Sequence, residues 1–353
     1  MHPESSRRRK VAPSFRSMCQ MVVYVPAAAR NSQKTEFMIN REIIRIKIVQ
    51  LTYAYYQNGN HNLENAEKEL VFSLDKAYDL YNFLLDLIVA VTRVAQQRYD
   101  VAMARFERGE GDCPSARFVN NKFALQLADN NMLGEWREHQ KHVWDDDIDI
   151  VRKVLDNIEN SEMFADYMAM TDEPDYADDR ELWRKLYKTF VVENEDIDMR
   201  LEEKSLYWND DKAIIDTFVL KTIKKFDEAN GFSQELLPQY KDPEDLDFAV
   251  RLFRTSILNA EQYQRYMTAT SKNWDFSRLA YMDVVIMQIA IAEMLSFPAI
   301  PVTVTINEYL TLAKNYSTPK SARYVNGMLD AIARYLSETG RMLKPLPEKT
   351  ERH

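Results

Sequence analysis

Apolar residues recur along this chain at helical spacing. From Met38 onward Ile39, Ile43, Ile46 and Tyr53 fall on one face, and Gly59 within the stretch 57–60 ends the pattern, which predicts a first helix. A second, long helical region is predicted over roughly 63–108, with Tyr78, Leu84, Leu85, Ile88 and Val91 in its apolar rows; Gly109, Gly111 and Pro114 stop it and make 109–118 a linker. Between 119 and 240 the pattern continues as amphipathic helices separated by acidic, proline-containing breaks such as Asp172-Glu173-Pro174-Asp175 and Leu237-Pro238, with no strand signal.

From Asp242 onward the periodicity is cleaner. Leu279, Met282, Ile286, Ile289 and Ala290 line one helix, Pro298 and Pro301 break it, 303–314 forms another, and Ala322, Val325, Leu329, Ile332 and Leu336 line the last. The middle also echoes this part. Lys185-Leu186-Tyr187-Lys188-Thr189 precedes Trp208 as Arg251-Leu252-Phe253-Arg254-Thr255 precedes Trp274, and Lys212 stands opposite Arg278, all at an offset of 66 residues. A degenerate repeat of a helix-pair unit explains the match; chance similarity between amphipathic helices is the other reading.

Composition narrows this to an all-α chain. At 353 residues it exceeds one ordinary core, and 7 glycines with 12 prolines leave little material for the turns of an all-β fold. The net charge of -9 excludes a protein that coats nucleic acid indiscriminately, so any RNA contact must be a local patch. Residues 1–37 differ: seven basic residues (Arg7, Arg8, Arg9, Lys10, Arg16, Arg30, Lys34) against Glu4 and Glu36 give +5 there and about -14 elsewhere. Gln20 and Pro26 interrupt the short apolar run 21–29, so this segment reads as a disordered leader, or as translation begun upstream of a natural start at Met38, rather than as an export signal. Cys19 and Cys113 have no metal-ligand spacing and fit a reducing cytoplasm. The longest apolar stretch, 279–300, contains Asp283 and Glu293 and reads as a core helix rather than a membrane span.

Specific residues then identify the chain as a member of a known family. Asn273-Trp274-Asp275, Arg278-Leu279, Met282-Asp283 and Ala292-Glu293-Met294, then Pro301 through Glu308, Leu312-Ala313-Lys314 and Ser321 through Asp330 resemble, in order and spacing, the C-terminal half of the NusB family. Val49-Gln50 and Tyr53, following Arg41 and Arg45, are similar to that family's opening helix. The resemblance implies an all-α, NusB-like bundle of two subdomains with an additional helical insertion. Its expected layout is a leader at 1–37, an N-terminal helical subdomain with an RNA-binding first helix at 38–118, the insertion at 119–240, the NusB-like bundle at 241–340 and a flexible tail at 341–353.

The resemblance further implies a cytoplasmic transcription antitermination factor, without catalysis or cofactor. It would bind a boxA-type RNA together with the ribosomal protein NusE, within the RNA polymerase elongation complex during ribosomal RNA transcription; a homodimer stays open and no membrane is involved. Single-stranded RNA needs cations for phosphates, flat side chains for bases and donors for base edges. Arg41 and Arg45, one helical turn apart, are expected to project together. Lys320, Arg323 and Tyr324 stand at the start of the last helix, where backbone N–H groups already favour phosphate, with Asn326 a further candidate. RNA would lie across the first and last helices, with NusE docked on the bundle so that neither partner alone binds tightly. Gly327 inside a helix suggests a close helix-to-helix approach, and Asn307 and Glu308 read as helix-start and packing residues. Where the family carries an arginine the chain has Gln288, whose amide could still reach a base edge or a 2′-hydroxyl, and Ile46 replaces an acidic residue.

Three rival classes compete. His139 and His142 with Asp145, Asp146 and Asp147 suggest a zinc or manganese site, but no HExxH arrangement or third well-spaced ligand accompanies them, so an acidic solvated helix is preferred. No glycine-rich phosphate loop is present, which speaks against nucleotide chemistry and a fused methyltransferase domain. A helical scaffold that contacts only protein, with exposed aromatics such as Tyr53, Tyr55 and Tyr56, is the remaining alternative, although Tyr53 also reads as core; the acidic balance and thinned arginine segment motivate it.

Overall fold

The structure, a computed structural model, describes residues 38–59, 62–140, 143–240, 242–271, 279–318 and 320–346. Within them the elements are α-helices and short 3-10 turns, with no strand. The helices are α1 (Arg41–Gln57), α2 (Leu63–Glu107), α3 (Lys122–Ala128), α4 (Asn131–Glu138), α5 (Ile148–Glu159), α6 (Glu162–Met168), α7 (Tyr176–Phe190), α8 (Glu195–Lys204), α9 (Lys212–Lys225), α10 (Pro243–Leu258), α11 (Ala260–Thr270), α12 (Tyr281–Ser296), α13 (Val302–Tyr316) and α14 (Ser321–Glu338). The leader at 1–37, with Cys19, and the motif 273–275 with Arg278 lie outside the described residues, as does His142.

Two compact units result, one from residues 41–71 and 243 onward, the other essentially from 72–242. The expected boundary at 118/119 therefore falls inside the second unit, because α2 runs unbroken for 45 residues and most of its length packs with the middle of the chain. No glycine or proline interrupts α2 to mark that division.

In the first unit α12 is the core. Its residues from Met282 to Met294 are buried almost without exception, so it is apolar on every face, and α10, α13 and α14 enclose it together with α1. No described helix is long and apolar enough to cross a membrane. The tail expected to be flexible from 341 is packed at its start: Met342 and Lys344 are buried, and the Lys344 ammonium donates to the carbonyl of Ile300 at 2.8 Å.

In the second unit α3, α4, α6, α7 and α8 each begin at Asn121, Asn130, Ser161, Asp175 and Asn194, whose side chains accept backbone N–H bonds of the first turn. Arg117 closes the other end of α6, donating to the carbonyls of Tyr167, Met168 and Met170 at 2.7–3.1 Å. The repeat is visible as structure. Shifted by 66 residues, α7, α8 and α9 fall on α10, α11 and α12, and Leu186/Leu252, Tyr187/Phe253, Ile197/Tyr263, Leu201/Met267, Val219/Val285 and Ile223/Ile289 are buried in both copies. Even the buried Asp179 has its counterpart in Asp245.

Candidate nucleic-acid interface

The cations expected on α1 separate. Arg45 is 5% exposed and spends its guanidinium inside the first unit: Nε and Nη2 donate to the two carboxylate oxygens of Glu293 at 2.8 and 3.0 Å, and Nη1 to Glu308 at 3.3 Å. Glu293, fully buried on α12, also accepts from the hydroxyls of Thr305 and Tyr309 at 2.8 and 3.2 Å. Arg41, 44% exposed, lies over the Phe248 ring at 4.8 Å and 3.9 Å from Asp245. The expectation that both arginines project together thus fails. A buried carboxylate at Glu293 needs a partner, and Arg45 is the cation whose guanidinium meets both of its oxygens.

At the opposite end of α12, Asp283 accepts a 2.8 Å bond from the Ser321 hydroxyl and ties down the start of α14. Ser321 in turn accepts from the Thr318 backbone N–H at 3.2 Å, closing the α13–α14 turn. Lys320 and Arg323 are exposed beside it, and among the described residues neither has an ion-pair partner. No side chain caps α14, so its first turn presents backbone N–H groups and the positive end of the helix dipole next to these two cations. Asn326 is exposed on the next turn. Tyr324 is partly buried; burial and the neighbouring Asp283 carboxylate push its pKa up, so it is a protonated phenol turned inward rather than an open stacking face.

A tyrosine cluster sits at the same end of α12, where Tyr281, which the sequence pattern did not single out, joins the three tyrosines of α1. Tyr281, 43% exposed in the first turn of α12, meets Tyr53 and Tyr56 of α1 edge-on, at ring-centre distances of 5.7 and 6.4 Å, and Tyr55 adjoins Tyr56 at 5.4 Å. Only the fold brings residue 281 to 53–56. From Glu293 to Asp283 is ten residues of helix, about 15 Å, so the end bearing Arg41 and Arg45 and the end bearing Lys320, Arg323 and the tyrosines are distinct places.

Other expectations change. Gln288 is 1% exposed, its amide donating to the Tyr56 hydroxyl at 2.9 Å and the Ser256 carbonyl at 2.8 Å, so it anchors the tyrosine cluster from beneath and cannot reach a base. Gly327 is exposed on α14, and a Cβ there would meet nothing within 4 Å; no helix approaches it closely. Asn307 and Glu308 lie well inside α13 rather than at its start, Glu308 serving Arg45. Of the histidine-aspartate group, Asp145 pairs with Arg93 at 2.6 Å, Asp147 pairs with Lys204 and Arg200 at 2.7 and 3.2 Å, and His139 bonds the Glu135 carbonyl.

Comparison with known proteins gives a consistent result. The NusB family model matches residues 217–334. The transcription antitermination protein NusB of Salinibacter ruber is 33% identical over 132 residues, which cover 36% of this chain and 82% of that protein. The proteins of the same name from Chloroherpeton thalassium and Natranaerobius thermophilus are 39% and 41% identical over 112 and 80 residues, but there the chain spans only 53% and 58% of the relative's length. No solved structure matches.

Proposed function

The chain belongs to the NusB family, and from that premise we propose that it serves in transcription antitermination by binding a boxA-type single-stranded RNA jointly with NusE, in the elongating RNA polymerase complex. The observation that carries this reading is the end of α12, which the uncapped start of α14 with exposed Lys320 and Arg323, held there by Ser321 on Asp283, shares with the tyrosines of α1 and α12. Phosphates would sit at the α14 start, where two ammonium or guanidinium charges and the helix dipole act in the same direction. Bases would stack on Tyr281 and Tyr53, which are sequence-tolerant π-faces, while Asn326 offers an amide to a base edge. A helix is about 10–12 Å across, so a strand of a few nucleotides reaches over the end of α12 from one set to the other.

Arg45 has no part in this interface, and Arg41, at the far end of α12, would meet a different stretch of RNA. Joint binding with NusE explains how a chain of net charge -9 takes up RNA: a small cationic patch neutralises few phosphates, so a second protein surface must supply the rest. Action in the cytoplasm and the absence of catalysis belong to the same reading.

The test is fluorescence anisotropy of a boxA RNA titrated with the full-length protein, with and without NusE, over a salt series. Lys320→Glu/Arg323→Glu should weaken joint binding by one to two orders of magnitude and flatten the salt slope by roughly 0.7 for each phosphate no longer neutralised. Equal affinity with and without NusE would remove the cooperative step. NusE capture without any salt-dependent RNA binding would favour a protein-only scaffold instead.

A further inference from the structure

In the first unit a groove of about 1070 Å³ lies between α11 and the end of α14, with Leu258, Leu295 and Arg341 among the residues that line it. Leu258, the last residue of α10, is 67% exposed. A single exposed leucine is ordinary on a protein surface; the charges around this one are not. Arg45, Arg254, Arg265 and Arg334 of the same unit each sit on a carboxylate at 2.5–3.4 Å. Arg341 and Arg251 are exposed and, among the described residues, have no ion-pair partner, on a chain with 55 acidic against 46 basic residues.

Local structure holds both of them outward. Behind Gly340, at φ +65°, the backbone N–H of Arg341 donates to the Leu336 carbonyl at 2.9 Å while Met342 is buried, so the Arg341 side chain turns to the surface. Its guanidinium lies 5.2 Å over Tyr266 and 5.8 Å over Tyr335. Arg251 lies 5.1 Å over Phe297 and donates to the Ser296 carbonyl at 3.0 Å, beside Leu295 of the groove wall. Arg251 and Leu258 are two turns apart on one face of α10, about 10 Å along its axis. The surface therefore combines an exposed aliphatic side chain with two guanidiniums that are ordered before anything binds and not neutralised.

That combination selects the occupant. A base has no open ring to stack on, because Tyr266 is 4% exposed and the guanidiniums themselves cover Tyr335 and Phe297. A carboxylate matches the planar fork of an arginine in paired hydrogen bonds, and Leu258 offers contact to an apolar side chain. We infer that this groove docks an acidic, leucine-containing segment of a protein partner, with its carboxylates on Arg341 and Arg251 and its aliphatic side chain against Leu258. The site goes beyond RNA binding and is separate from it: α14 has 18 residues, which puts Arg341 about 27 Å from Lys320 and Arg323.

The test uses the full-length protein and a fluorescein-labelled peptide, Asp-Glu-Leu-Leu-Asp-Glu with blocked ends, titrated by anisotropy beside its uncharged counterpart Asn-Gln-Leu-Leu-Asn-Gln. The acidic peptide should bind roughly tenfold more tightly than the uncharged one, and Arg341→Gln and Arg251→Gln should each weaken it on the order of tenfold. Arg341→Lys, which keeps the charge without the fork, should fall between the parent and Arg341→Gln. Lys320→Glu/Arg323→Glu should leave peptide affinity unchanged, and circular dichroism checks that the variants fold. No binding up to about 1 mM peptide, equal affinity for both peptides, or binding lost only in Lys320→Glu/Arg323→Glu would overturn the groove and leave the proposed function standing. Displacement of the peptide by oligo(U) that itself binds less tightly in Arg341→Gln would overturn it in favour of a nucleic-acid surface.

Discussion

Replacing Arg45 by methionine separates a structural arginine from an RNA-binding one. Methionine keeps most of the aliphatic volume and removes the guanidinium, so the chief loss is the pairing of Glu293. That carboxylate is fully buried and would retain the Thr305 and Tyr309 hydroxyls, while the nearby Lys344 ammonium bonds the Glu293 main-chain carbonyl rather than the carboxylate and replaces the lost pairing only in part. Removing one member of such a buried pair costs about 3–5 kcal/mol. Because the pair joins α1 to α12 and α13, the loss should appear in the first unit as a whole, as a fall in its melting temperature on the order of 10 °C. Adding Glu293→Gln should return much of the stability: the amide oxygen still accepts from Thr305 and Tyr309, and no buried charge is left alone. Scanning calorimetry on the three variants, with boxA anisotropy measured well below the transition, tests the argument. A loss under about 1 kcal/mol accompanied by abolished RNA binding would refute it, since Arg45 would then be acting outward.

Gly327→Ala should stabilise the protein by about 0.5–1 kcal/mol, since the position is helical and a methyl group meets open space; a destabilised variant in thermal melting would mean that a neighbour crowds this face of α14 after all. Arg117→Ala should cost about 2 kcal/mol and speed hydrogen exchange at the end of α6 and the loop after it, because several carbonyls lose their donor together. Glu308 has its pKa raised by burial, partly offset by Arg45. A folded pKa above the unfolded one means its contribution is full at low pH and is lost as pH rises through the folded value. Glu308→Gln should therefore be at least as stable as the parent near pH 7, with the difference vanishing near the unfolded carboxyl pKa of about 4.3; a variant that loses more at neutral pH than at acid pH would contradict this sign.

The helices were legible because their apolar rows and breakers are local. Gly59 and the trio Gly109, Gly111 and Pro114 stop α1 and α2 where the pattern stops, and Pro298 and Pro301 separate α12 from α13. The cationic start of α14 was legible for the same reason. What stayed hidden depends on partners distant in sequence. Arg45 looks like a surface cation until Glu293, 248 residues away, is placed beside it. Gln288 looks like a substitute for an arginine until Tyr56 and Ser256 are seen to take its amide. The tyrosine cluster needs residues 53, 56 and 281 together, which no periodicity reports.

The starts of the helices also bear on function. In the second unit α7 and α8 begin with side chains that cap them, Asp175 and Asn194, whereas α9, the counterpart of α12, has none. In the first unit α12, α13 and α14 follow Ala280, Pro301 and Lys320 and have no side-chain cap at all. Omitting a cap leaves first-turn N–H groups seeking acceptors, a cost of roughly 1 kcal/mol each time. Packing of α12 on every face offsets it there, but α14 begins beside two exposed cations, Lys320 and Arg323, with no ion-pair partner among the described residues, and carries, one turn further on, an exposed glycine that also costs helix stability. The Ser321 hydroxyl bonded to Asp283 fixes this start but accounts for neither the exposed cations nor the glycine, and these are where a ligand rather than the fold should set the sequence. Anions are the ligands that such an end attracts, so this corner of the bundle is the place to look first for the phosphates of the RNA proposed as its ligand.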